Sequence, residues 1–210
     1  MSKSFAFVFP GQGSQAVGML DAWGDHPEVL RTLAEASDAL GEDVGALIKN
    51  GPKEQLDLTT NTQPVMLTAG VACYRAWIAE TGLVPAAAAG HSLGEYTALV
   101  AAGALSLAQA LPLVRFRAQA MQQAVPVGAG AMYAILGLDG EAVRQGCAQA
   151  AAESGEVIEA VNFNDPKQTV IAGSKAGAEK AAEILKAAGA KRALPLPVSA
   201  PFHSSLMKPA

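Results

Sequence analysis

Apolar residues recur every three or four positions in two early segments of the chain, residues 28–40 and 65–80. This period places the apolar side chains on one face of a helix, so the pattern predicts a helix in each segment. Residues 5–9 are instead a short continuous apolar run that ends at a Pro-Gly turn, which is typical of a buried strand. The chain is therefore predicted to begin with a strand that is followed by helices.

A further helix is predicted over residues 106–123. Its apolar face consists of Leu107, Leu111, Val114, Ala118 and Met121. The two arginines of this helix differ, because Arg115 lies toward the polar side whereas Arg117 lies among apolar neighbours. A guanidinium in apolar surroundings is unfavourable unless an anion pairs with it, so Arg117 is a candidate for binding a substrate anion. A structural salt bridge, or a side chain that extends to solvent, is the alternative.

From residue 131 onward, short apolar strands alternate with two helical segments. The predicted strands are residues 131–136, 157–163, 169–172 and 191–196, and the predicted helices are residues 140–152 and 176–188. The resulting β-α-β-β-α-β order is that of a ferredoxin-like unit. We predict an α/β fold in which residues 129–198 form this small subdomain, with a hairpin loop at 162–166, and residues 1–128 and 199–210 form the core.

Composition and charge limit the class of protein. Of the 210 residues, 50% are hydrophobic and 16% are charged, and the formal net charge is −4, which is typical of a globular chain with a large core. No basic surface is predicted, so we expect no nucleic-acid partner. Cys73 and Cys147 lie in alanine-rich helical segments without metal-binding spacing. We expect them to be buried reduced thiols of a cytoplasmic protein, with no disulfide and no metal site.

Two segments bear on localisation. Residues 1–4 lead directly into the first strand without a cleavage site, so no targeting segment is expected. Residues 96–114 are uncharged and long enough to span a bilayer, but they include Gly103, Ser106, Gln109 and Pro112. We therefore expect two buried helices that meet near Ser106, and no membrane association.

The segment Gly90-His91-Ser92-Leu93-Gly94 has the G-x-S-x-G pattern of a nucleophile elbow. In such an elbow a sharp strand-to-helix turn presents the serine at the helix N-terminus. Glycines are needed two residues to either side, because side chains there would collide with the turn. Ser92 is therefore a candidate nucleophile. The alternative is that Ser92 only caps the helix, since Glu95 completes an S-x-x-E capping box.

A glycine-rich loop, residues 10–16, follows the first strand. Gly11, Gly13 and Ala16 fit the dinucleotide-binding fingerprint. That fold requires a second strand that ends in an acidic residue about 20 positions later, where residues 28–40 predict a helix instead. Binding of NAD is therefore disfavoured. Such a loop can still present a backbone N–H beside an elbow elsewhere in the sheet.

Among the three histidines, His203 is the candidate general base. His26 precedes a proline in a polar turn, and the side chain of His91 should diverge from that of its neighbour Ser92. His203 lies in an irregular, proline-rich segment, so the alternative is a surface histidine. No acidic residue follows Glu183, so no carboxylate close in sequence is available to orient His203.

Together these motifs resemble the malonyl-CoA:acyl carrier protein transacylase family. The matching residues are Pro10-Gly11-Gln12-Gly13-Ser14-Gln15, Gly90-His91-Ser92-Leu93-Gly94-Glu95-Tyr96, Arg117, Asn162-Phe163-Asn164 and Pro201-Phe202-His203. They occur in the family's order and extend along the whole chain, which makes the resemblance far more specific than any single motif.

The resemblance implies an α/β-hydrolase-like core with a parallel sheet, and a role for each matching residue. Ser92 and His203 are implied to be catalytic, the backbone N–H groups of Gln12 and Leu93 to form the oxyanion hole, and Arg117 to bind the malonyl carboxylate. Further residues implied to line the substrate pocket are Gln63, Met121, Asn162 and Phe202. For Phe202 the alternative is a core aromatic that points away from the pocket.

The implied activity is transfer of a malonyl group from malonyl-CoA to the phosphopantetheine thiol of acyl carrier protein, for fatty acid synthesis. CoA thioester and carrier-protein phosphopantetheine are then substrates, no cofactor is permanently bound, and a monomer is expected. One alternative is a serine esterase or lipase of the α/β-hydrolase fold, which would have an acid partner for the histidine and no buried arginine. Another is a catalytically inactive interaction module. Family members continue past the histidine motif, so we expect either that this chain is truncated after Ala210 or that the remainder is supplied separately.

Overall fold

A computed structural model describes residues 4–198 and 200–210. The chain divides into two compact units, Met1–Gln119 and Ala120–Ala210. The first unit contains, in chain order, strand β1 (Ala6–Phe9), helices α1 (Pro27–Leu40), α2 (Val44–Asn50), α3 (Lys53–Leu56) and α4 (Thr59–Thr81), strand β2 (Ala87–Gly90) and helix α5 (Gly94–Ala101). Helix α6 (Leu107–Gln123) begins in the first unit and ends in the second.

Strands β1 and β2 pair in parallel, from Ala6 opposite Ala87 to Phe9 opposite Gly90. Parallel neighbours need a long crossover connection, and helices α1 to α4 supply it. The prediction of a buried first strand is wrong for most of β1, since Val8 is 74% exposed and Phe9 alone within the strand is buried. Side chains alternate across a strand, so a continuous apolar run does not tell which face neighbouring elements cover.

The predicted helices of the first unit are present, but α4 begins earlier than predicted. It starts at Thr59 and continues through Pro64, whereas the apolar spacing predicted a start at residue 65. The first turn is stabilised by contacts that periodicity does not reveal, because the backbone N–H and the hydroxyl of Thr62 both donate to the carbonyl of Leu58, and the hydroxyl also to that of Leu56. Gln63 is therefore a helical residue and only 1% exposed.

Helices α5 and α6 confirm the interpretation of residues 96–114 as two helices rather than one span. Every residue of the predicted apolar face of α6 is buried. Within the described residues, no helix is both long enough and apolar enough to cross a membrane.

The second unit contains a four-stranded antiparallel sheet in the order β4-β5-β3-β6. Its elements are β3 (Gly130–Leu136), α7 (Gly140–Ser154), β4 (Ile158–Asp165), β5 (Gln168–Ser174), α8 (Lys175–Ala187) and β6 (Arg192–Pro195). The predicted β-α-β-β-α-β order is present. The predicted hairpin loop at 162–166 is wrong, because β4 extends to Asp165 and only Pro166 and Lys167 form the turn.

The two faces of this sheet are covered by different parts of the chain. On one face, Ile135 and Ile171 pack with residues of α7 and α8, including Cys147 and Leu185. On the other face, the strand residues Met132, Val170 and Ala172 form a cluster with Met121, Ala200 and Phe202. The C-terminal segment is therefore part of the second unit, where the sheet gives its apolar side chains a surface to pack on.

The compact units thus divide the chain differently from the predicted domains. Residues 120–128 and 200–210 lie in the second unit, whereas the prediction assigned them to the core. Residues 1–3, which belong to the predicted N-terminal stretch, and residue 199, the predicted boundary, lie outside the described residues. Both cysteines are free thiols, but only Cys147 is fully buried and Cys73 is half-buried.

Candidate active site

The predicted strand–turn–helix is present at the G-x-S-x-G motif. Strand β2 ends at Gly90, helix α5 begins at Gly94, and Ser92 between them has a φ angle of 52°. A Cβ atom on Gly90 would lie 1.9 Å from the carbonyl carbon of Gly94, and one on Gly94 would lie 2.2 Å from the carbonyl oxygen of Phe9. Neither approach is sterically possible, so this turn requires glycine at both positions.

The structure does not match the alternative role of Ser92 as a helix cap. Leu93 is the N-cap residue of α5 and its side chain makes no capping hydrogen bond, so Ser92 lies one residue before the cap. The Ser92 side chain is therefore at the N-terminal end of α5, where the helix dipole favours negative charge. The backbone N–H of Leu93 belongs to the same turn.

The glycine-rich loop after β1 lies beside this elbow. A Cβ atom on Gly11 would be 2.7 Å from the carbonyl oxygen of His91, so the two backbones touch. The next residue, Gln12, donates from Nε2 to Thr59 Oγ1 at 3.2 Å. Gln15 donates from Nε2 to Asp57 Oδ1 at 2.8 Å. Side chains just before α4 and at its first residue thus hold the glycine-rich loop in place, and this loop carries the Gln12 N–H.

The guanidinium of Arg117 reaches the nucleophile from α6. Its Nη2 atom lies 3.3 Å from Ser92 Oγ, and its Nη1 atom donates to Gln63 Oε1 at 2.6 Å. The ring of Tyr96, in the first turn of α5, lies 5.7 Å from the central carbon of the guanidinium, within cation–π range. Ser92, Gln63 and Tyr96 thus surround one arginine head group.

Arg117 has no carboxylate partner within 4.0 Å among residues 4–198 and 200–210, although the three other arginines of the first unit, Arg31, Arg75 and Arg115, do. Arg75 pairs with Glu35, and Arg115 pairs with Glu42. Burial lowers the pKa of Arg117, while Tyr96 and Glu95 oppose that shift, and an arginine remains protonated across the physiological range. A positive charge is therefore held half-buried beside the serine, with no carboxylate in ion-pair contact among the residues that the structure describes. The predicted alternative of a structural salt bridge does not match this arrangement.

His203 lies in the second unit, in a tight turn. Its φ angle is 67°, and its neighbour Phe202 is buried in the cluster on the sheet. After it, the Ser204 hydroxyl donates to the carbonyl of Pro201 at 2.7 Å. The backbone N–H of Ser205 donates to Glu159 Oε2 at 2.6 Å, so a carboxylate from β4 anchors the segment two residues after the histidine.

Three predicted pocket residues share the sheet face on which this segment packs. Met121 and Phe202 belong to the apolar cluster there. Asn162 lies directly opposite Val170 of that cluster, because a β-bulge between Ala160 and Asn162 shifts the register by one residue. Opposite residues of an antiparallel pair point to the same face, so the bulge directs Asn162 to this face, away from the face that Ala160 shares with Ile171.

The structure therefore brings together Gln12, Gln63, Ser92, Leu93 and Arg117 in the first unit, and Met121, Asn162, Phe202 and His203 in the second. Sequence reasoning missed Thr59, Tyr96 and Glu159 as contacts of these residues. Thr59 and Tyr96 each lie four positions from a predicted site residue within the helical stretches, a spacing that could have identified them. No sequence spacing could have identified Glu159, because it contacts Ser205, which lies 46 positions away.

Comparison with known proteins identifies the relatives of this chain. Residues 6–210 match the acyl transferase domain family. The chain is 58% identical over 210 residues to the malonyl CoA-acyl carrier protein transacylase of Haemophilus influenzae, a match that covers 99% of this chain and 67% of that protein.

Solved protein structures also match almost the whole of this chain. The crystal structure of the acyl-carrier-protein S-malonyltransferase of Burkholderia pseudomallei is 70% identical with a TM-score of 0.95, and the match covers 99% of this chain and 67% of that one. A malonyl-transacylase in complex with a holo type II polyketide synthase acyl-carrier protein is 53% identical, also with a TM-score of 0.95, 99% coverage of this chain and 67% of that one. The chain spans about two thirds of the length of these relatives. The family prediction is confirmed: the chain belongs to the acyl transferase domain family.

Proposed function

We propose that the protein transfers a malonyl group from malonyl-CoA to the phosphopantetheine thiol of acyl carrier protein, through a malonyl ester of Ser92, and so supplies extender units for fatty acid synthesis. The observation that carries this proposal is the position of Arg117. Its guanidinium lies 3.3 Å from the Ser92 hydroxyl and has no carboxylate within 4.0 Å among the residues that the structure describes.

This spacing fits a short dicarboxylic thioester. In a malonyl group a single methylene separates the carboxylate from the thioester carbonyl, so a carboxylate on Arg117 keeps the carbonyl carbon close to Ser92. Arginine can form a charge-assisted bidentate pair with the carboxylate, and burial strengthens that pair. An acetyl group has no charge to offer and gains nothing from Arg117.

In the first half-reaction we assign His203 as the general base, the role that the family resemblance implies. His203 takes the proton of Ser92 as Oγ attacks the thioester carbonyl, and the negative oxygen that forms is bound by the backbone N–H groups of Gln12 and Leu93. The carbon–sulfur bond then breaks and the CoA thiolate receives the proton from His203. The product is a malonyl ester of Ser92.

The second half-reaction is the same sequence with a different nucleophile. The phosphopantetheine thiol gives its proton to His203 and attacks the serine ester, the carbon–oxygen bond breaks, and Ser92 Oγ takes the proton back. No electrons are gained or lost in either step. Only the acceptor distinguishes this reaction from that of an esterase, in which water would take the acyl group.

The proposal also includes an assignment of the domains and of the residues that line the pocket. Although residues 120–128 and 200–210 lie in the second compact unit, we assign residues 1–128 and 199–210 to an α/β-hydrolase-like core and residues 129–198 to a ferredoxin-like subdomain. The parallel β1–β2 pair with its elbow supports the first assignment, and the strand order β4-β5-β3-β6 supports the second. Gln63, Met121, Asn162 and Phe202 are proposed to line the acyl pocket. A monomeric, cytoplasmic protein with no permanently bound cofactor and no nucleic-acid or membrane partner stays a prediction from the sequence.

Mass spectrometry of the intact protein tests this function. After incubation with malonyl-CoA we expect a malonyl adduct on Ser92 that persists until acyl carrier protein is added, because the proposed acceptor is a thiol. Ser92→Ala should form no adduct and should remain folded. An adduct on the Ser92→Ala variant, or release of malonate to water as fast as transfer to the carrier, would contradict the proposal.

The role of Arg117 is tested by comparing two acyl donors. Arg117→Ala should reduce malonyl transfer far more than acetyl transfer, because only the malonyl carboxylate is left without its charged partner. Arg115→Ala is the matched control, since Arg115 lies two positions away on α6 and pairs with Glu42. It should change the ratio of the two activities little, and equal losses of both activities in Arg117→Ala would make Arg117 a structural residue.

A further inference from the structure

Arg117 is held by a neutral group, the side-chain amide of Gln63. Gln63 is 1% exposed and lies in the second turn of α4, and its Oε1 atom accepts the hydrogen bond from Arg117 Nη1 at 2.6 Å. The two residues are 54 positions apart in the chain, so the contact is purely tertiary. A hydrogen bond from a charged donor is among the stronger ones, and it fixes a side chain that would otherwise adopt many rotamers.

The neutrality of this partner has a chemical consequence. Arg75 and Arg115 are held by glutamates, and each of those ion pairs is already charge-balanced. An amide oxygen can orient a guanidinium equally well but leaves its full positive charge available to a ligand. Since a buried charge strongly favours an opposite charge, the Gln63–Arg117 pair is preorganised for an incoming carboxylate.

The same face of α4 also holds the loop of the proposed oxyanion hole. Thr59, one helical turn before Gln63, is 2% exposed and accepts the hydrogen bond from the Gln12 side chain. The two residues thus support different parts of the site, since Thr59 contacts the Gln12 loop and Gln63 contacts the arginine. The oxyanion hole serves every acyl group, whereas the arginine serves only acyl groups that carry a carboxylate.

We propose that Gln63 is a positioning residue that orients Arg117 without neutralising it, and that it thereby sets the preference for a carboxylated acyl group over an uncharged one. Gln63 acts through Arg117 and is not itself catalytic. This inference rests on the proposed function, because it needs Arg117 to bind the malonyl carboxylate.

The test measures kcat and KM separately for malonyl-CoA and acetyl-CoA in the Gln63→Met variant, which keeps side-chain length but removes the acceptor. We expect the malonyl-to-acetyl ratio of kcat/KM to fall about tenfold, the size of one lost hydrogen bond to a charged group. The loss should appear mainly as a higher KM for malonyl-CoA, because the carboxylate contacts Arg117 before and during the reaction. Equal losses for both donors would indicate a merely structural role and overturn the inference.

Gln63→Glu sharpens the test, because it keeps an acceptor and adds a negative charge. The new carboxylate should pair with Arg117 and compete with the substrate carboxylate, so we expect a larger fall in the malonyl-to-acetyl ratio, of roughly a hundredfold. A ratio that equals that of the native protein would show that neutrality at position 63 is irrelevant.

Two controls separate the inference from other effects. Thr59→Val, one turn away on the same helix face, should lower malonyl and acetyl transfer by the same factor. In an Arg117→Ala background, Gln63→Met should leave the ratio unchanged, because the residue through which it acts is gone. A further fall there would mean that Gln63 acts directly on the substrate.

Failure of this inference is distinguishable from failure of the proposed function. A native protein that forms no malonyl-serine ester contradicts the function itself. A native protein that forms the ester and prefers malonyl-CoA, while Gln63→Met retains that preference, contradicts only the role of Gln63. Should Gln63→Met not fold, Gln63→Asn, whose amide is one methylene shorter, is expected to lower the ratio in the same way.

Discussion

Ser92 and His203 adopt the same unusual backbone conformation, but the two units of the molecule hold it in different ways. Their φ angles are 52° and 67°, and within the described ranges 4–198 and 200–210 no other residue except glycine has a positive φ. Around Ser92 the conformation is enforced by close packing of the backbone at Gly90 and Gly94. Around His203 it is accompanied by hydrogen bonds and by burial of the neighbouring Phe202.

The two turns therefore differ in what maintains a strained backbone conformation at a functional site. A conformation that costs on the order of 1 to 3 kcal/mol persists only when its surroundings determine it. At the elbow those surroundings are the motif itself and the adjacent end of β1, so the motif predicts the geometry. At the histidine they come from Glu159 on β4 and from the sheet, which lie far away in sequence.

The largest effect is expected from Gly94→Ala, which disturbs the close backbone packing that holds Ser92 in its conformation. The added Cβ would lie 2.2 Å from the Phe9 carbonyl oxygen, so the elbow cannot form as it is. We expect acylation of Ser92 to be lost and the free energy of unfolding to fall by about 3 kcal/mol, the upper part of the range for overpacking. Thermal unfolding and mass spectrometry after incubation with malonyl-CoA measure the two effects.

Gly45→Ala is the matched control for this substitution. Gly45 lies in α2, and its Cβ would meet its nearest neighbour, Asp43, at an ordinary distance of 3.5 Å. It should stabilise the protein by up to about 1 kcal/mol or leave it unchanged, because alanine favours a helix over glycine. Normal acylation in Gly94→Ala would show that the elbow tolerates a side chain that the structure excludes.

His203→Ala removes the proposed general base, which lies in the second unit. The rate of malonyl transfer should fall by about 10² to 10⁴, the usual contribution of a general base. His26→Ala is the control, because His26 caps α1 through its Nδ1 atom and should affect stability but not transfer. An unchanged rate in His203→Ala would make it an ordinary surface histidine.

Glu159→Gln tests whether hydrogen bonding holds the histidine turn. The variant replaces a charged acceptor of the Ser205 N–H by a weaker neutral one, and we expect kcat to fall about tenfold for malonyl and acetyl donors alike. Glu156→Gln, an exposed substitution in the same unit, should have no effect. If Glu159→Gln instead changed the ratio of the two donors, the carboxylate would act on substrate selection and not on the turn.

The smallest effect is expected from alkylation of the two thiols. Burial raises the pKa of Cys147 to about 12 and also raises the pKa of the half-buried Cys73. The thiolate is the reactive form, so at pH 8 both should react slowly with iodoacetamide, and Cys73 should react before Cys147. Peptide mapping over time gives this order, and faster labelling of Cys147 would indicate that the helix face of the second sheet opens readily.

Several features followed from the sequence alone because their causes are local. The glycine spacing around Ser92 predicted the elbow, and the apolar spacing of α6 predicted both its buried face and the unusual environment of Arg117. Alternating strand and helix patterns predicted the order of elements from β3 to β6. In each case residues within a few positions of one another determine the outcome.

Other features depended on contacts that no local pattern records. Periodicity missed the first turn of α4, which is stabilised by hydrogen bonds to Leu56 and Leu58, and so it placed Gln63 outside the helix. Asn162 fell in both a predicted strand, 157–163, and a predicted loop, 162–166, whereas pairing with β5 makes it a strand residue that a bulge directs to one face. The exposure of Val8 likewise depends on which face of β1 other elements cover.

The sequence by itself therefore determined the elbow, the family and the candidates Ser92, Arg117 and His203. The tertiary structure decided which groups hold them in place. The side-chain amide of Gln63, from α4, accepts a hydrogen bond from Arg117, and the carboxylate of Glu159, from β4, accepts one from the turn that follows His203. The physical reason is that hydrogen-bond partners 46 to 54 positions apart are chosen by the packing of whole helices and strands. A pattern within one segment cannot contain that information.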